Sequence, residues 1–394
     1  LYQAIQTAGI PGVHIRKIAV KNGRKARNAP AELFTTSKED ILTDPVIDVV
    51  VEATNDADAA FDIASAALIN GKHVVSANKK MIAEHFPELQ RIQQKTGKAL
   101  LYEASVCAAI PIIRTLDAWY RHGSIRSLRA IVNGSCNFIL SKLDSGEFGF
   151  AEAVKLAQKK GFAETDPAQD VDGFDAASKL QILLAHATGI VTRQRDIVFS
   201  SIRQIHAADA ELARQNGWRL KQVAQIRKDT AGRYAAWVLP QFVPQTDPLY
   251  HIQNEYNGLL VENGISETQF FSGRGAGSNP TASALLHDVL SLQNGYRYQL
   301  GEENKHILNS DTELELYCSF PRRKQLPEQL FSSVYEWQLV GERQVITGRI
   351  PFHKLAQSNW WRQPEVSLIV LPENETGNLL KSKQPGGELA CVAV

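Results

Sequence analysis

The stretch PVIDVVVEATNDADAAFDIASAALINGKHVVSANKK, residues 45–80, contains two valine-rich runs on either side of a helix-like segment. The runs Pro45–Thr54 and His73–Asn78 predict buried parallel strands. The segment between them, Ala57–Asn70, predicts a helix that ends at Gly71. A strand, a helix and a second strand in this order predict two parallel strands joined by a helical crossover.

The same alternation continues on both sides of this stretch. Residues 1–9 predict a helix, Val13–Val20 predicts a strand, and residues 79–96 predict a further helix before a strand in ALLYEAS, residues 99–105. The pattern predicts a Rossmann-like doubly wound parallel sheet. A strand and a GxGxxG turn normally precede the first helix of this fold. Neither is found here, so the first strand and the glycine loop are expected to be absent from this chain.

Length and composition limit the classes of protein to be considered. A chain of 394 residues is expected to form two or three domains, and 44% hydrophobic with 22% charged residues is ordinary for a soluble globular protein. The formal net charge of +1 gives no support for binding to nucleic acid or to an anionic membrane. No apolar run approaches the roughly 20 residues that a membrane span requires.

Cysteine usage points to a reducing compartment. The four cysteines are scattered without CxxC spacing, which predicts a cytoplasmic protein without a disulfide framework or a zinc site. They are Cys107, Cys136, Cys318 and Cys391. Cys107 and Cys136 lie in apolar surroundings and are expected to be buried small residues.

Polar residues follow the two valine-rich strands at the ends where open α/β sheets bind ligands. Thr54 and Asn55 follow the first strand and can form hydrogen bonds with a ribose or with a nicotinamide amide. Ser76, Asn78 and Lys79 follow the second. A lysine in the first turn of a helix opposes the helix dipole unless an anion is bound nearby. These residues are therefore candidates for contact with a dinucleotide.

The turn after Val13–Val20 is strongly basic. Lys21, Arg24 and Lys25 all come before the first acidic residue, Glu32. In dinucleotide-binding folds an acid near this position holds the ribose 2′-hydroxyl of NAD, whereas an arginine accommodates the 2′-phosphate of NADP. The turn favours NADP, with NAD as the second choice and Arg24 as the candidate contact. A solvated basic turn is the alternative.

The stretch GFAETDPAQDVDGFDAASK, residues 161–179, concentrates acidic residues just before the apolar helix KLQILLAHATG. A solvated acidic loop is the simplest interpretation, and Asp166 and Asp172 are predicted to serve turns or caps. Asp175 and Lys179, however, are four residues apart at a helix start and share one face. That face leads into a buried surface, where desolvation favours a neutral lysine and a nearby carboxylate favours a charged one.

Three long segments resemble the signature segments of the homoserine dehydrogenases: NGSCNFIL (133–140), the acidic stretch 161–179, and GRGAGSNPTASALLHDVL (273–290). They occur in the order and spacing of that family, and the similarity covers about residues 48–292. The resemblance implies an NAD(P)-dependent oxidoreductase that interconverts L-homoserine and L-aspartate 4-semialdehyde on the route to threonine, methionine and isoleucine. It also implies a homodimer.

The resemblance implies roles for five residues of the substrate site. Lys179 is expected to donate the proton to the forming alkoxide, and Lys79 is expected to assist it and to reach both cofactor and substrate. Glu164 is expected to hold the α-ammonium group of the substrate. Asp170 and Asp175 are expected to help hold the ammonium and hydroxyl groups.

Two further expectations rest on the resemblance. Gly275 is expected to lie beside the nicotinamide ring. A monovalent cation, Na+, is expected to bind the carboxylate of Glu103 and the backbone carbonyls of Val106, Ala108 and Ile110. From the residues alone, Glu103 is an isolated carboxylate in an apolar run and needs a partner, for which a buried lysine or arginine is the alternative.

Three domains are predicted. Residues 1–118 form the dinucleotide-binding domain, and residues 119–308 form a substrate-binding and dimerisation domain whose end returns to the first. Residues 309–394 form a small α+β domain with four strand-like runs, for which a β-α-β-β-α-β order would give a ferredoxin-like sandwich. Some members of the family carry an ACT-type regulatory domain of this kind. Residues 381–394 predict a glycine turn and a final strand.

Two other functions remain open from the sequence. A dinucleotide-fold binding or regulatory protein without turnover would account for the missing glycine loop. A reductase for a related amino-acid semialdehyde would need similar acidic residues, although the three long segments do not fit it.

Overall fold

The computed structural model describes residues 1–120, 125–265, 267–299, 308 and 310–373. Cys391 and the final strand expected in residues 381–394 lie outside the described residues. No helix in the described part of the chain is long and apolar enough to cross a membrane. The described cysteines Cys107, Cys136 and Cys318 are buried free thiols, as expected for the first two.

The first part of the chain alternates strands with helices, as predicted. Its elements are α1 (Tyr2–Ala8), β1 (Ile18–Ala19), β2 (Phe34–Thr35), α2 (Glu39–Leu42), β3 (Val49–Glu52), α3 (Ala57–Ile69), β4 (His73–Ser76), α4 (Lys79–Glu84), α5 (Phe86–Thr96) and β5 (Leu100–Leu101). Among the described residues, β3, β4 and β5 form a parallel sheet, and β1 and β2 form a separate parallel pair. This confirms the Rossmann-like parallel sheet.

Helix signals in the sequence act where they were expected. The side chain of Asp56 accepts a hydrogen bond from Ala59 N and begins α3, and Gly71 follows its end with a left-handed φ of 77°. The side chain of Asn78 begins α4 by accepting from Met81 N.

Several predicted elements were too long, including the strand expected at Pro45–Thr54, which is limited to β3 (Val49–Glu52). The strand expected at Val13–Val20 is limited to two residues, because its partner β2 is itself only two residues long and follows a 3₁₀ turn at Ala31–Leu33. The helix expected at residues 79–96 is interrupted at His85, which ends α4 and begins α5. Pro87 follows directly, and a proline lacks the N–H that a continuous helix needs there.

The middle of the chain builds the large mixed sheet and the helices that cover it. Its elements are α6 (Ile112–Thr115), β6 (Ile125–Ile131), α7 (Gly134–Asp144), α8 (Phe150–Lys159), α9 (Ala168–Val171), α10 (Phe174–Thr188), β7 (Val198–Phe199), α11 (Ala207–Gln215), β8 (Arg219–Lys228), β9 (Tyr234–Val243), β10 (Tyr256–Asn263), β11 (Thr268–Arg274) and α12 (Ser278–Gln293). A π-helical turn, Leu116–Tyr120, continues α6. Pro111 directly precedes α6.

The helix α10 is the central helix of this region. It lies between Gly173 and Gly189, which both have a left-handed φ, and every residue from Asp175 to His186 is buried. The apolar side of α10 packs against strands β8 and β9 and against the segment around Ile112. Because the helix is enclosed by protein, the charged residues in its first two turns require partners.

The last part of the chain extends the same sheet. Its elements are β12 (Glu313–Pro321), β13 (Ser333–Val340), β14 (Arg343–Pro351), α13 (Phe352–Gln357) and β15 (Ser367–Val370). In the described residues the sheet runs β11-β10-β6-β8-β9-β15-β12-β14-β13, and β15 joins β9 in parallel at Val370 and Gln241. The order β15-β12-β14-β13 is that of a ferredoxin-like sandwich, but a single 3₁₀ turn, Glu328–Leu330, stands where the first helix was expected. The ACT-type assignment stays a prediction.

The helix α12 packs on the parallel sheet of the first region. Leu285 and Val289 contact Val75 and Leu101. The chain therefore returns to the parallel sheet after completing β11. The division of the chain at residues 118 and 308 stays a prediction.

Candidate active site

Two lysines share one buried carboxylate. Nζ of Lys79, in the first turn of α4, lies 2.5 Å from Oδ1 of Asp175, and Nζ of Lys179 lies 2.9 Å from Oδ2 of the same residue. Asp175 and Lys179 are one turn apart on α10, as their spacing predicted. Side-chain exposure is 4% for Asp175, 9% for Lys179 and 36% for Lys79. Lys79 thus forms the open side of the cluster.

The ion cluster determines the charges of its members. Burial raises the pKa of Asp175, but the ammonium groups of Lys179 and Lys79 more than offset this effect, so its pKa lies below the usual range. The Asp175 carboxylate in turn raises the pKa of Lys79, with smaller contributions from Asp170 and Glu164. Asp175 is therefore a carboxylate, and Lys79 is an ammonium group, over the physiological pH range.

The other two predicted acids lie beside this cluster. Asp170 is partly buried, and burial and the charge of Asp175 raise its pKa. Glu164 is exposed. Asp166 caps the turn at Ala168, as predicted, whereas Asp172 pairs with Arg203 at 2.7 Å and with Ser201 at 2.8 Å. The structure thus brings together all five residues expected to form the substrate site, while their individual roles stay predictions.

Two residues at the end of β6 hold this cluster in place. The carbonyl of Val132 accepts a hydrogen bond from Nζ of Lys179 at 2.8 Å. The side-chain nitrogen of Asn133, Nδ2, donates to Oδ1 of Asp170 at 2.8 Å and to Oδ2 of Asp175 at 2.7 Å. The sequence analysis assigned no role to Asn133, although it begins the NGSCNFIL segment and has the residue type of a helix cap.

A buried carboxylate at the end of β3 organises the residues expected to contact the cofactor. Glu52 is 2% exposed; its Oε1 accepts from Oγ1 of Thr54 at 2.7 Å, and its Oε2 accepts from Oγ of Ser76 at 2.6 Å. Asn78 then donates its amide to the carbonyl of Thr54 at 3.0 Å. No role was predicted for Glu52, although an acid next to apolar residues is the same signal that singled out Glu103.

Two further predicted cofactor contacts are accessible to solvent. Asn55 is exposed directly after β3. Arg24 is exposed in the basic turn between β1 and β2, where Lys21 and Lys25 are also exposed. Arg27 of the same turn is instead engaged with the carbonyls of Asn22 and Lys25. A phosphate could therefore reach Arg24 without displacing a protein contact.

Gly275 lies in close contact with Asn257. A Cβ on Gly275 would lie 1.8 Å from Nδ2 of Asn257, so only glycine fits there. Asn257 is buried and donates to Sγ of Cys107 at 3.4 Å, and its Oδ1 has no hydrogen-bond partner among the described residues. Asn257 therefore contacts both the glycine turn before α12, at Gly275, and the segment from Val106 to Ala108, at Cys107.

Glu103 is buried and caps the start of α6. Its carboxylate oxygens accept from the backbone N–H groups of Ile113 and Arg114, both at 2.8 Å. Burial raises the pKa of Glu103 to about 8, with a further contribution from the negative charge of Asp288. The guanidinium of Arg114 is 2.9 Å from Asp288 and forms no ion pair with Glu103 among the described residues. The alternative partner for Glu103, a buried lysine or arginine, is therefore not found in the described part of the chain.

The segment after Glu103 has two features that fit a cation bound by carbonyl groups. Ala108 has a left-handed φ of 33°, a strained conformation for a residue with a side chain. The carbonyls of Val106 and Ala108 accept no hydrogen bond from a described residue, whereas that of Ile110 accepts from Ile112 N at 2.7 Å. Within the described residues no group of three or more His, Cys, Asp or Glu is arranged to hold a metal ion, so a cation here would depend on carbonyl oxygens.

Comparisons with known proteins identify the family of this chain. A family model described as homoserine dehydrogenase matches residues 111–290, and one described as homoserine dehydrogenase, NAD binding domain, matches residues 3–103. A homoserine dehydrogenase from Synechocystis sp. is 36% identical over 72% of this chain and 66% of that protein. One from Helicobacter pylori is 32% identical over 80% of this chain and 74% of that protein. The chain thus spans just under two thirds of the Synechocystis relative.

Solved structures give the same result. The crystal structure of a homoserine dehydrogenase from Thiobacillus denitrificans has a TM-score of 0.78 and 28% identity, over 91% of this chain and 90% of that one. A hyperthermophilic archaeal homoserine dehydrogenase in complex with NADPH has a TM-score of 0.59 and 25% identity, over 68% of this chain and 78% of that one. The chain belongs to the homoserine dehydrogenase family.

Proposed function

We propose that this protein interconverts L-homoserine and L-aspartate 4-semialdehyde with NADP as its cofactor. The observation that carries the proposal is the Lys79–Asp175–Lys179 cluster, which lies where α4 of the parallel-strand domain meets α10 of the large-sheet domain. The cofactor, when bound, supplies or accepts the hydride at its nicotinamide ring. The chain has to bind the substrate, orient its carbon and manage one proton.

We assign the transfer of the proton to and from the substrate oxygen to Lys179. Asp175 lies 2.9 Å from its Nζ, and the ammonium group of a lysine can donate a proton to the forming alkoxide. The Val132 carbonyl at 2.8 Å fixes the direction of the ammonium group. Lys79, on the open side of Asp175, is assigned to polarise the reacting oxygen and to contact the cofactor.

The substrate ammonium group is assigned to the acids. Glu164, Asp170 and Asp175 carry three negative charges when ionised, and the two lysines carry two positive charges. One negative charge is therefore left to attract the α-ammonium group of homoserine or aspartate semialdehyde. A substrate without an ammonium group would leave this charge unpaired.

Comparing substrates tests this assignment. We expect kcat/KM for 4-hydroxybutyrate, which is homoserine without its α-ammonium group, to be at least about 10²-fold lower than for L-homoserine. Glu164→Gln should lower kcat/KM for L-homoserine and so reduce the ratio of the kcat/KM values for the two substrates. Equal kcat/KM for both alcohols would contradict the assignment, and a preference for a homologue with one more methylene would favour a related semialdehyde.

A preference for NADP is assigned to the basic turn. Arg24 is exposed and the turn has no acid, so a 2′-phosphate would find a positive partner there. We expect Arg24→Ala to raise KM for NADP by about 10-fold and to leave KM for NAD unchanged, the loss expected for one charge-assisted hydrogen bond. Steady-state kinetics with both cofactors measures this. Arg16→Ala is the control, since Arg16 is exposed in the same domain but pairs with Asp44 at 3.5 Å; equal effects from the two variants would contradict the assignment.

A sodium ion is assigned to Glu103 and to the carbonyls of Val106, Ala108 and Ile110. Glu103 and Asp288 are two buried carboxylates beside one guanidinium, so one negative charge is left uncompensated when both are ionised. The ion would neutralise that charge and would order the turn that precedes α6.

Thermal unfolding tests the sodium assignment without reference to activity. NaCl is expected to raise Tm by a few degrees, on the order of 2–4 °C, relative to tetramethylammonium chloride at equal concentration. The effect should be larger at pH 9 than at pH 6, because the pKa of Glu103 near 8 leaves its carboxyl protonated at the lower pH. Glu103→Gln should abolish the difference between the salts. An equal Tm in both salts at pH 9 would contradict the site.

The homodimer is also assigned as a proposal. It is supported by the exposed edge strand β11, on which Phe270 is 44% exposed. Analytical ultracentrifugation at micromolar concentration would measure the oligomeric state.

The buried free thiols in the described residues fit the cytoplasmic location that the cysteine spacing predicts.

A further inference from the structure

The side chain of Asn133 is shared between a helix and the acids of the substrate site. Asn133 is 5% exposed at the junction of β6 and α7. Its Oδ1 accepts from the backbone N–H of Cys136 at 2.8 Å and begins α7. Its Nδ2 donates to Oδ1 of Asp170 at 2.8 Å and to Oδ2 of Asp175 at 2.7 Å. Both amide protons are therefore directed to carboxylates.

This arrangement brings two like charges close to one nitrogen. Carboxylates that approach each other in a buried site repel, and one of them tends to take up a proton. Two N–H donors between them offset part of that repulsion and set their separation. Burial and the charge of Asp175 raise the pKa of Asp170, whereas the hydrogen bond from Asn133 opposes that rise.

The same junction also holds the proton donor. Lys179 donates from Nζ to the carbonyl of Val132, the residue before Asn133, and contacts the same Oδ2 of Asp175 that accepts from the Asn133 amide. A change at residue 133 would therefore alter both the acids and their relation to Lys179.

We propose that Asn133 is a positioning residue that fixes the distance between Asp170 and Asp175 and so places the substrate ammonium group relative to Lys179. The inference rests on the proposed homoserine activity. The side chain of Asn133 acts through the two acids, to which it donates both of its amide N–H groups. Its residue type is required because it must both cap α7 through an acceptor and donate two N–H groups.

Two variants separate capping from positioning. Asn133→Ser keeps a strong helix cap and loses both N–H donors without adding charge. Asn133→Asp keeps the cap and adds a third carboxylate beside Asp170 and Asp175. Asn137→Ser is the control, because Asn137 is a buried amide one turn along α7 that donates only to backbone carbonyls, those of Ile252, Asn254 and Tyr256.

The pH profile of kcat/KM for homoserine oxidation is the decisive measurement. The charged groups around Asp170 are Glu164, Asp175, Lys79 and Lys179. Loss of the amide donors favours the protonated form of Asp170, so the acidic limb of the profile should move to higher pH by about one unit. At the optimum, kcat/KM of Asn133→Ser should fall by about 10- to 100-fold, mainly through KM. Asn133→Asp should lose at least as much, and Asn137→Ser should lower Tm without moving the profile.

Two results would overturn the inference. One is an Asn133→Ser enzyme with the wild-type kcat/KM and acidic limb. The other is a loss that follows a lowered Tm and leaves the profile in place, as expected for Asn137→Ser. If the wild-type enzyme oxidises homoserine and Asn133→Ser gives either of these results, the positioning role of Asn133 is wrong but the proposed function stands. A wild-type protein without homoserine oxidation would overturn the proposed function together with it.

Discussion

Lys179→Ala is expected to lower kcat for homoserine oxidation by about 10²- to 10⁴-fold, the range for loss of a positioned general acid or base. Lys179 is held by the Val132 carbonyl and by Asp175 and is only 9% exposed, so the alanine variant leaves no proton-donating group at this position. Steady-state formation of NADPH measures the change.

Lys179→Arg distinguishes the proton from the charge. Arginine keeps a positive partner for Asp175, but it does not release its proton at physiological pH. We therefore expect Lys179→Arg to be nearly as slow as Lys179→Ala. Lys80→Ala, next to the other site lysine, is the control and should retain wild-type kcat. Full activity of Lys179→Ala would mean that Lys79, not Lys179, transfers the proton. Full activity of Lys179→Arg with an inactive Lys179→Ala would mean that Lys179 acts only through its positive charge.

Asp175→Asn is expected to lower the free energy of unfolding by about 3–5 kcal/mol at pH 7, the range for breaking a buried ion cluster from one side. The substitution leaves the ammonium groups of Lys79 and Lys179 facing an uncharged amide in a buried site. Urea unfolding measures the change. Asp172→Asn is the control: its pair with Arg203 is partly exposed, so the expected change is at most about 1 kcal/mol.

The stability difference between wild type and Asp175→Asn should depend on pH in one direction only. Because the pKa of folded Asp175 is lowered, its ionised form stabilises the folded state above the unfolded pKa of about 3.9. The difference should be constant from pH 5 to 8 and should shrink as the pH falls below about 4. Glu103 and Asp288, whose pKa values are raised to about 8 and about 6, act in the opposite direction in both proteins. A difference that grows on acidification would contradict the ion cluster.

Local sequence signals were sufficient for the parallel sheet and for the pairing of Asp175 with Lys179. The valine-rich strands and Gly71 after α3 are short-range signals, and they led to the observed elements. Asp175 and Lys179 could be placed on one face of a helix by spacing alone. Asp175 lies 96 residues after Lys79, and the connection between them came only from the family resemblance, since no periodicity relates residues so far apart in the chain.

What the sequence did not indicate depends on contacts between distant segments. Asn133 meets Asp170 and Asp175 only because β6 ends beside α10, and Glu52 meets Ser76 only through parallel strand pairing. The strand at Val13–Val20 and the helix at residues 79–96 were too long, because pairing partners and a proline after His85 set their limits. The joining of β15 to β9 likewise follows from tertiary packing and has no local signal.

The most direct test of the account is L-homoserine-dependent formation of NADPH by the full-length natural protein, measured with NADP and with NAD. We predict that reduced cofactor forms only when L-homoserine and the oxidised cofactor are both present, and that its rate of formation saturates with each. We also predict a higher kcat/KM with NADP than with NAD. Formation with neither cofactor, from a protein shown to be folded, would contradict the enzymatic account and would favour a binding protein without turnover.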